Sequence, residues 1–309
     1  SRYKEIVTSY DDPETGFDAT VFKRSDGVLV LALRGTSGEG DIIPTDADIF
    51  VNGAGYDQIV AMYNWWRRVS SEPGTTVQKF NLSSGMIPPQ NAIVISSEAV
   101  GNNAWRYTYL EPSTTQAASI ADGNIFADLQ DSGGEIDVAG HSLGGHLALA
   151  FNTLFSDVSE DVFTFNAPGI TASNVNQTFF ETLGGSVPTE ANSANVVNVV
   201  GDEANTGDST FNLVAGLHSP PGTTLDVRIE NQWLSSEPTP PAAQNHSQTI
   251  LTDALAVFSL LGQLDPNLTL DEFRSIFNAA SNTEFKSLES VIKSLYSLVE
   301  PGEFLLPSG

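Results

Sequence analysis

The chain has 309 residues, 40% of them hydrophobic, with 38 acidic against 13 basic side chains and a formal net charge of −25. That length holds one enzyme-sized core with an appendage, and the apolar fraction is enough to fill it. The negative charge argues against a nucleic-acid partner and repels anionic membranes at long range, so an anionic lipid would have to be reached through apolar contact or bridging cations. The acidity fits plain solubility or adaptation to a high-salt or calcium-rich medium. With no cysteine, disulfides and thiolate metal sites are excluded. No run of about 18 apolar residues exists, so no transmembrane helix is expected. The chain begins at Ser1 without a basic-then-apolar leader, as a fragment or processed form would.

Residues 20–23 and 28–33 are strand-like and flank Ser25-Asp26-Gly27, a hairpin turn. Residues 56–69 read as a helix, with Ile59, Met62, Tyr63 and Trp66 on one face. Residues 74–116, with Pro88-Pro89, a β-rich run at 92–95 and the alternation Trp105, Tyr107, Tyr109, read as an insertion containing a hairpin. The pattern then becomes regular. Strands are expected at 136–139, 162–165, 196–200 and 225–229, and helices at 143–155 and 247–261. Apolar strands alternating with helices predict a mostly parallel central sheet with helices on both faces and an antiparallel N-terminal edge. Residues 235–241 are Pro/Ser-rich loop. Thr269-Leu270-Asp271-Glu272 and Ser281-Asn282-Thr283-Glu284 fit the capping box, and each opens an amphipathic helix. The expected organisation is a catalytic domain at 1–262 carrying the 74–116 insertion, followed by a helical C-terminal appendage at 263–309.

Gly140-His141-Ser142-Leu143-Gly144-Gly145 matches G-x-S-x-G. Such a match is weak alone, but here a strand precedes it and a Gly/Ala/Leu helix follows it. A serine at a sharp strand-to-helix turn is forced into a strained backbone conformation that pushes its hydroxyl outward. Side chains at Gly140 and Gly144 would collide across that turn. The helix N-terminus offers N–H groups and a positive dipole end to a developing oxyanion.

A serine hydroxyl needs a base, oriented in turn by an acid. Four histidines are present. His141 lies inside the elbow, where its geometry is wrong for a base. His146 follows Ser142 by four residues on the helix and is expected to pack beside the sheet. His246 follows the last strand and a loop and precedes the final core helix, which makes it the first choice; His218, ahead of Pro220-Pro221, is the rival. Asp202 is the first carboxylate after the 196–200 strand and is the candidate acid, with Glu203 and Asp208 as rivals. The competing reading of Asp202 is a turn or calcium residue. The 202–208 run is not an EF-hand loop, because its third and fifth positions are Ala204 and Thr206.

Residues 29–33 lead into Arg34-Gly35-Thr36-Ser37-Gly38, a strand end and loop able to place a backbone N–H beside the nucleophile, with the Leu143 N–H as its partner. The order of Arg34-Gly35-Thr36, the Gly140–Gly145 elbow, Thr164-Phe165-Asn166-Ala167-Pro168-Gly169 and the 196–202 strand resembles class 3 lipases of the α/β-hydrolase fold. R-G-T-S-G together with G-H-S-L-G-G also resembles bacterial true lipases exported with calcium-binding repeats. The resemblance covers about residues 20–262. It implies an ester hydrolase acting on acylglycerols, with Ser142 as nucleophile, Asp202 and His246 completing a triad, and Thr36 and Leu143 forming the oxyanion hole. It implies a secreted, extracellular setting, a lipid or ester substrate met at an interface, and no required cofactor.

The departures are Asn166-Ala167-Pro168 in place of the usual Gly-Ser/Ala-Pro, a longer span from R-G-T to the serine than in fungal lipases, and absent repeats. They leave chain length, calcium dependence and lid position open, as the oligomeric state is also. The alternatives are a phospholipase A1, a short-chain esterase, or a lipase-like binding domain. Two segments could form a lid: 41–55, with Gly38, Gly40, Gly53 and Gly55 as hinges, or 86–110, which is richer in apolar and aromatic residues.

Overall fold

The expected hairpin is present: β2 (Phe17–Arg24) and β3 (Leu29–Leu33) pair antiparallel across Ser25-Asp26-Gly27. Gly27 sits at φ 93, which a turn this tight needs. The Arg24 N–H closes the turn on the Val28 carbonyl at 2.8 Å. A strand the sequence reading did not assign, β1 (Tyr3–Asp12), pairs antiparallel with β2 at the sheet edge. The computed structural model describes residues 3–34, 53–203, 217–229 and 246–269. Thr36, most of the 41–55 segment, Asp208, the 235–241 loop and the two expected tail helices lie outside them.

The described residues fall into two compact units, one holding those of Ser1–Asn198 and Leu217–Thr223, the other those of Val199–Gly216 and Thr224–Gly309. In the first, β3 pairs parallel with β7 (Ile136–His141), and β7 pairs parallel with β8 (Ser159–Phe165). The order there is β1-β2-β3-β7-β8, followed by the start of β9 (Val196–Glu203). In the second unit the rest of β9 neighbours β10 (Thr223–Ile229), which is followed by the helix Gln248–Leu264. The sheet is therefore mixed: an antiparallel N-terminal edge beside a parallel centre.

Two helices build the core of the first unit. The helix α1 (Tyr56–Val69) buries Ile59, Met62, Tyr63 and Trp66, the face its 3.6-residue periodicity predicts. Asp57 in its first turn and Arg67 and Arg68 in its last complement the helix dipole. A short helix, α2 (Phe126–Asp131), follows the insertion, and then α3 (Leu143–Leu154), in which every residue is buried. A helix buried on every side, its polar His146, Asn152 and Thr153 included, has to be covered all round. The aromatic rings of α1 do part of this: Trp66 meets Phe151 edge-on at 4.8 Å, and Tyr63 stacks on Phe155 at 5.6 Å. A further helix, α4 (Asn174–Thr182), is capped by the Ser173 side chain, which accepts from the Asn176 N–H. The 248–264 helix, here α5, closes the described chain.

The insertion is more than a hairpin. It is a three-stranded antiparallel sheet of order β4-β6-β5, formed by β4 (Thr76–Gly85), β5 (Ile93–Gly101) and β6 (Ala104–Gln116). Asn102 and Asn103, both at positive φ, turn β5 into β6.

Candidate active site

Strand β7 ends at His141 and α3 begins at Leu143, so Ser142 alone makes the turn between them. It does so at φ 56 and ψ −126. A non-glycine residue holds such a conformation only when its surroundings enforce it. Here they do. The Ser142 N–H donates to the Phe165 carbonyl at the end of β8 at 2.9 Å, and its carbonyl accepts from the N–H groups of Gly145 and His146 at 2.9 and 3.1 Å. The side chain makes no capping hydrogen bond to the helix it precedes.

The glycines around Ser142 are required by contact. A Cβ on Gly140 would lie 2.1 Å from the Gly144 carbonyl oxygen, and one on Gly144 would lie 2.1 Å from the Leu33 carbonyl oxygen. Neither approach is possible for a side chain unless the backbone shifts, so the elbow holds this geometry only with hydrogen at both positions. The second contact also has a consequence for chemistry. It sets the first turn of α3 against the end of β3, at Leu33 and Arg34. Arg34 itself pairs with Asp18 at 2.9 Å. Leu143, whose N–H opens the helix, is 2% exposed.

His146 is fully buried, as expected for a packing residue, but its role is specific. Its Nε2 accepts from the Gly55 N–H at 3.2 Å, which leaves the ring proton on Nδ1, 3.4 Å from the Pro168 carbonyl. Burial pushes its pKa down to about 4, so the ring is neutral. His146 thus ties the elbow helix both to the 53–55 re-entry and to the Asn166–Gly169 loop. This corrects the hinge assignment at Gly53 and Gly55. The Gly53 carbonyl accepts from Thr171 at 3.1 Å, Ala54 is fully buried, and Gly55 is held by His146. That end of the candidate lid is anchored.

The loop after β8 forms the next wall. Asn166 is buried and sits at φ 48. The Gly169 N–H donates to the Leu217 carbonyl at 2.8 Å, and a Cβ on Gly169 would lie 2.0 Å from the His218 carbonyl oxygen. His218 is exposed and also has positive φ, at 56. Beneath them, Thr164 on β8 donates to the Asn198 side chain at 2.7 Å, and Asn198 donates to the Pro221 carbonyl at 2.9 Å. In the second unit Asp202 falls inside β9 rather than after a strand ending at 200, because the strand runs on to Glu203. His246 is buried, two residues ahead of α5. Among the described residues no group of three or more acidic or histidine side chains is placed to hold a metal ion. No helix among them is long and apolar enough to cross a membrane.

What these elements define is a strand–serine–helix site at the carboxyl end of a parallel strand, walled by the loop that follows the neighbouring strand. No family model matches the chain, and no curated protein matches it. Among solved structures, a crystal structure of a triacylglycerol lipase from Penicillium expansum is similar at 17% identity and a TM-score of 0.30, over 74% of this chain and 70% of that chain.

Proposed function

We propose that the chain is a serine carboxylic-ester hydrolase of the α/β-hydrolase fold, a lipase acting on acylglycerol-type esters through an acyl-enzyme on Ser142. The observation that carries this is the conformation of Ser142, φ 56 and ψ −126, between a parallel strand and a buried helix. Strain of that kind at a serine, enforced by glycines whose substitution would displace the backbone, is what an exposed nucleophile requires.

In this reading His246 takes the Ser142 proton as Oγ attacks the ester carbonyl, and Asp202 orients the imidazole. The N–H groups of Leu143 and Thr36 hold the oxyanion. His246 then protonates the departing alcohol, and water, deprotonated by the same ring, releases the acid. No organic cofactor enters the cycle. The buried position of His246 just ahead of α5 supports it as the base.

A second assignment of the base is favoured by a specific observation. Three of the positive-φ residues that are not glycine, Ser142, Asn166 and His218, occur in the first unit at or beside the ends of β7 and β8. Strained residues cluster at functional sites, and His218 is the histidine among them.

Ser142→Ala should abolish both labelling by a fluorophosphonate and hydrolysis of p-nitrophenyl esters, with an unchanged circular dichroism spectrum. Wild-type turnover in that variant would overturn the reading. His246→Ala should lower kcat about a thousandfold or more while His218→Ala changes it little. The reverse ranking would assign the base to His218. A graded series of acyl lengths, beside emulsified triglyceride and phospholipid, separates the lipase from a short-chain esterase and a phospholipase A1.

A further inference from the structure

The 217–222 loop beside the Asn166–Gly169 wall is anchored by two buried side chains that take no part in the proposed ester hydrolysis. Pro220 and Pro221 have no N–H, so this stretch can be held only through its carbonyls. Asn198 on β9 meets both. Its Nδ2 donates to the Pro221 carbonyl at 2.9 Å and to the Pro220 carbonyl at 3.4 Å. Its Oδ1 accepts from Thr164 Oγ1 on β8 at 2.7 Å. Thr164 and Asn198 are each 1% exposed. With amide hydrogens and oxygen all engaged, the Asn198 side chain has one orientation.

These contacts close a ring within the first unit. Thr164 also lies under the first turn of α3, its Cβ 3.3 Å from where a Cβ on Gly145 would stand. From Thr164 the ring runs through Asn198 to Pro220 and Pro221, and back along the loop to Leu217, whose carbonyl accepts from Gly169. It returns to α3 through the Pro168 carbonyl and the His146 ring. His218 stands on this ring, exposed and at φ 56, its carbonyl oxygen 2.0 Å from where a Gly169 Cβ would be. Burial first, and His218 in smaller part, keep the His146 pKa low, which places the His218 side chain near the same turn of α3. An apolar pair in place of Thr164 and Asn198 would leave no buried polar group to satisfy. A hydroxyl and an amide fix a distance and an angle as well.

We propose that Asn198, oriented by Thr164, is a positioning residue of the site: it fixes the 217–221 loop as a rigid wall beside Ser142, against which the ester is seated. The proposal rests on the hydrolase reading and adds to it which flank of the site is rigid. Asn198 acts through the loop and touches no reacting atom. Its loss therefore weakens ground-state and transition-state binding alike, which raises KM and spares kcat.

The test pairs Thr164→Val, which keeps the outline and deletes the hydroxyl, with Thr164→Ser, which keeps the hydroxyl. Asn198→Asp, which puts a carboxylate against two carbonyls, is the stronger perturbation. On p-nitrophenyl butyrate, per folded molecule, Thr164→Val should raise KM about three- to tenfold with kcat within about twofold, as loss of one buried hydrogen bond predicts. Thr164→Ser should hold KM near the parent value, and Asn198→Asp should raise it further. If Asn198→Asp does not fold, the Thr164 pair decides alone. Hydrogen exchange at Leu217, His218 and Ser219 should be faster in Thr164→Val than in the parent. An unchanged KM in Thr164→Val, an equal rise in Thr164→Ser, or a fall in kcat at constant KM would overturn the proposal. The last result would mean that the pair serves the base instead of the substrate. A parent inert toward every ester would refute the hydrolase reading and the seating of the ester with it, and is told apart from failure of the positioning alone, in which the parent is active and the exchange rates match.

Discussion

His146 makes a quantitative statement about acid stability. In the folded chain its ring is neutral, with Nε2 occupied by the Gly55 N–H and the whole side chain buried. Its pKa is about 4 there, against 6.5 for the free side chain, and desolvation is the main cause. Between those two values the unfolded chain binds a proton at this position and the folded chain does not. Stability from His146 is therefore fully present above about pH 6.5 and falls as pH drops toward 4. At pH 4.5, two decades below the unfolded value, the loss is about 3 kcal/mol, at 1.36 kcal/mol per decade. The 38 acidic side chains also titrate at the lower end of this range, so the wild-type curve alone cannot isolate the effect. A comparison with His146→Gln can. The glutamine amide oxygen can accept the Gly55 N–H but has no proton to gain. At pH 7.5 the variant should be less stable by about 1–2 kcal/mol, for an imperfectly replaced buried hydrogen bond. By pH 4.5 the difference should vanish or reverse. Urea unfolding at pH 7.5, 5.5 and 4.5 measures it. Parallel stability curves for the two proteins would refute the argument, because the buried neutral ring would then contribute no pH dependence.

Two further perturbations follow from contacts in the first unit. Gly144→Ala places a methyl 2.1 Å from the Leu33 carbonyl oxygen, where only backbone movement can relieve it. It should lower stability by about 1–3 kcal/mol and lower esterase activity more than that loss of folded protein explains, read by thermal unfolding beside turnover per folded molecule. Trp66→Ala removes a ring that is 2% exposed and set edge-on to Phe151 at 4.8 Å, and should cost about 3–5 kcal/mol in urea unfolding.

The elbow was legible in the sequence because its chemistry is local. Gly140 lies against Gly144 and Gly145 within the turn itself, and the residue pattern records that crowding directly; the contacts of Gly144 with Leu33 and of Ser142 with Phe165 are long-range and left no such mark. Helix α1 was legible through its periodicity. What could not be read depends on distant partners. Strand β1, Tyr-Lys-Glu-Ile-Val-Thr-Ser-Tyr-Asp-Asp, lies on the sheet edge with only partial burial, so its pattern lacks a clear apolar face. Helix α4 is rich in Asn and Thr, poor helix formers, and is held by its Ser173 cap and by Phe179 and Phe180 buried beneath it. The insertion read as a hairpin because only β5 and β6 are joined by a short turn; β4 reaches β6 across the intervening strand. The clamp at His146 was hidden for the same reason. Its partners Gly55 and Pro168 lie 91 and 22 residues away, so spacing marks it only as a buried helix residue.

These long-range ties bear on how such a site would keep its shape. A strained serine is retained only if relaxation is blocked from every side. Helix α3 cannot withdraw from the strand ends, because Gly144 lies against Leu33 and Ser142 is bonded to Phe165. The loop after β8 cannot swing away, because Pro168 receives the His146 ring proton and Gly169 is bonded to Leu217. The segment entering α1 is held at Gly53 by the Thr171 N–H and at Gly55 by the His146 ring. Ser142 is thus held at once by the strand beside it and by its own helix, which leaves its strained backbone no direction in which to relax.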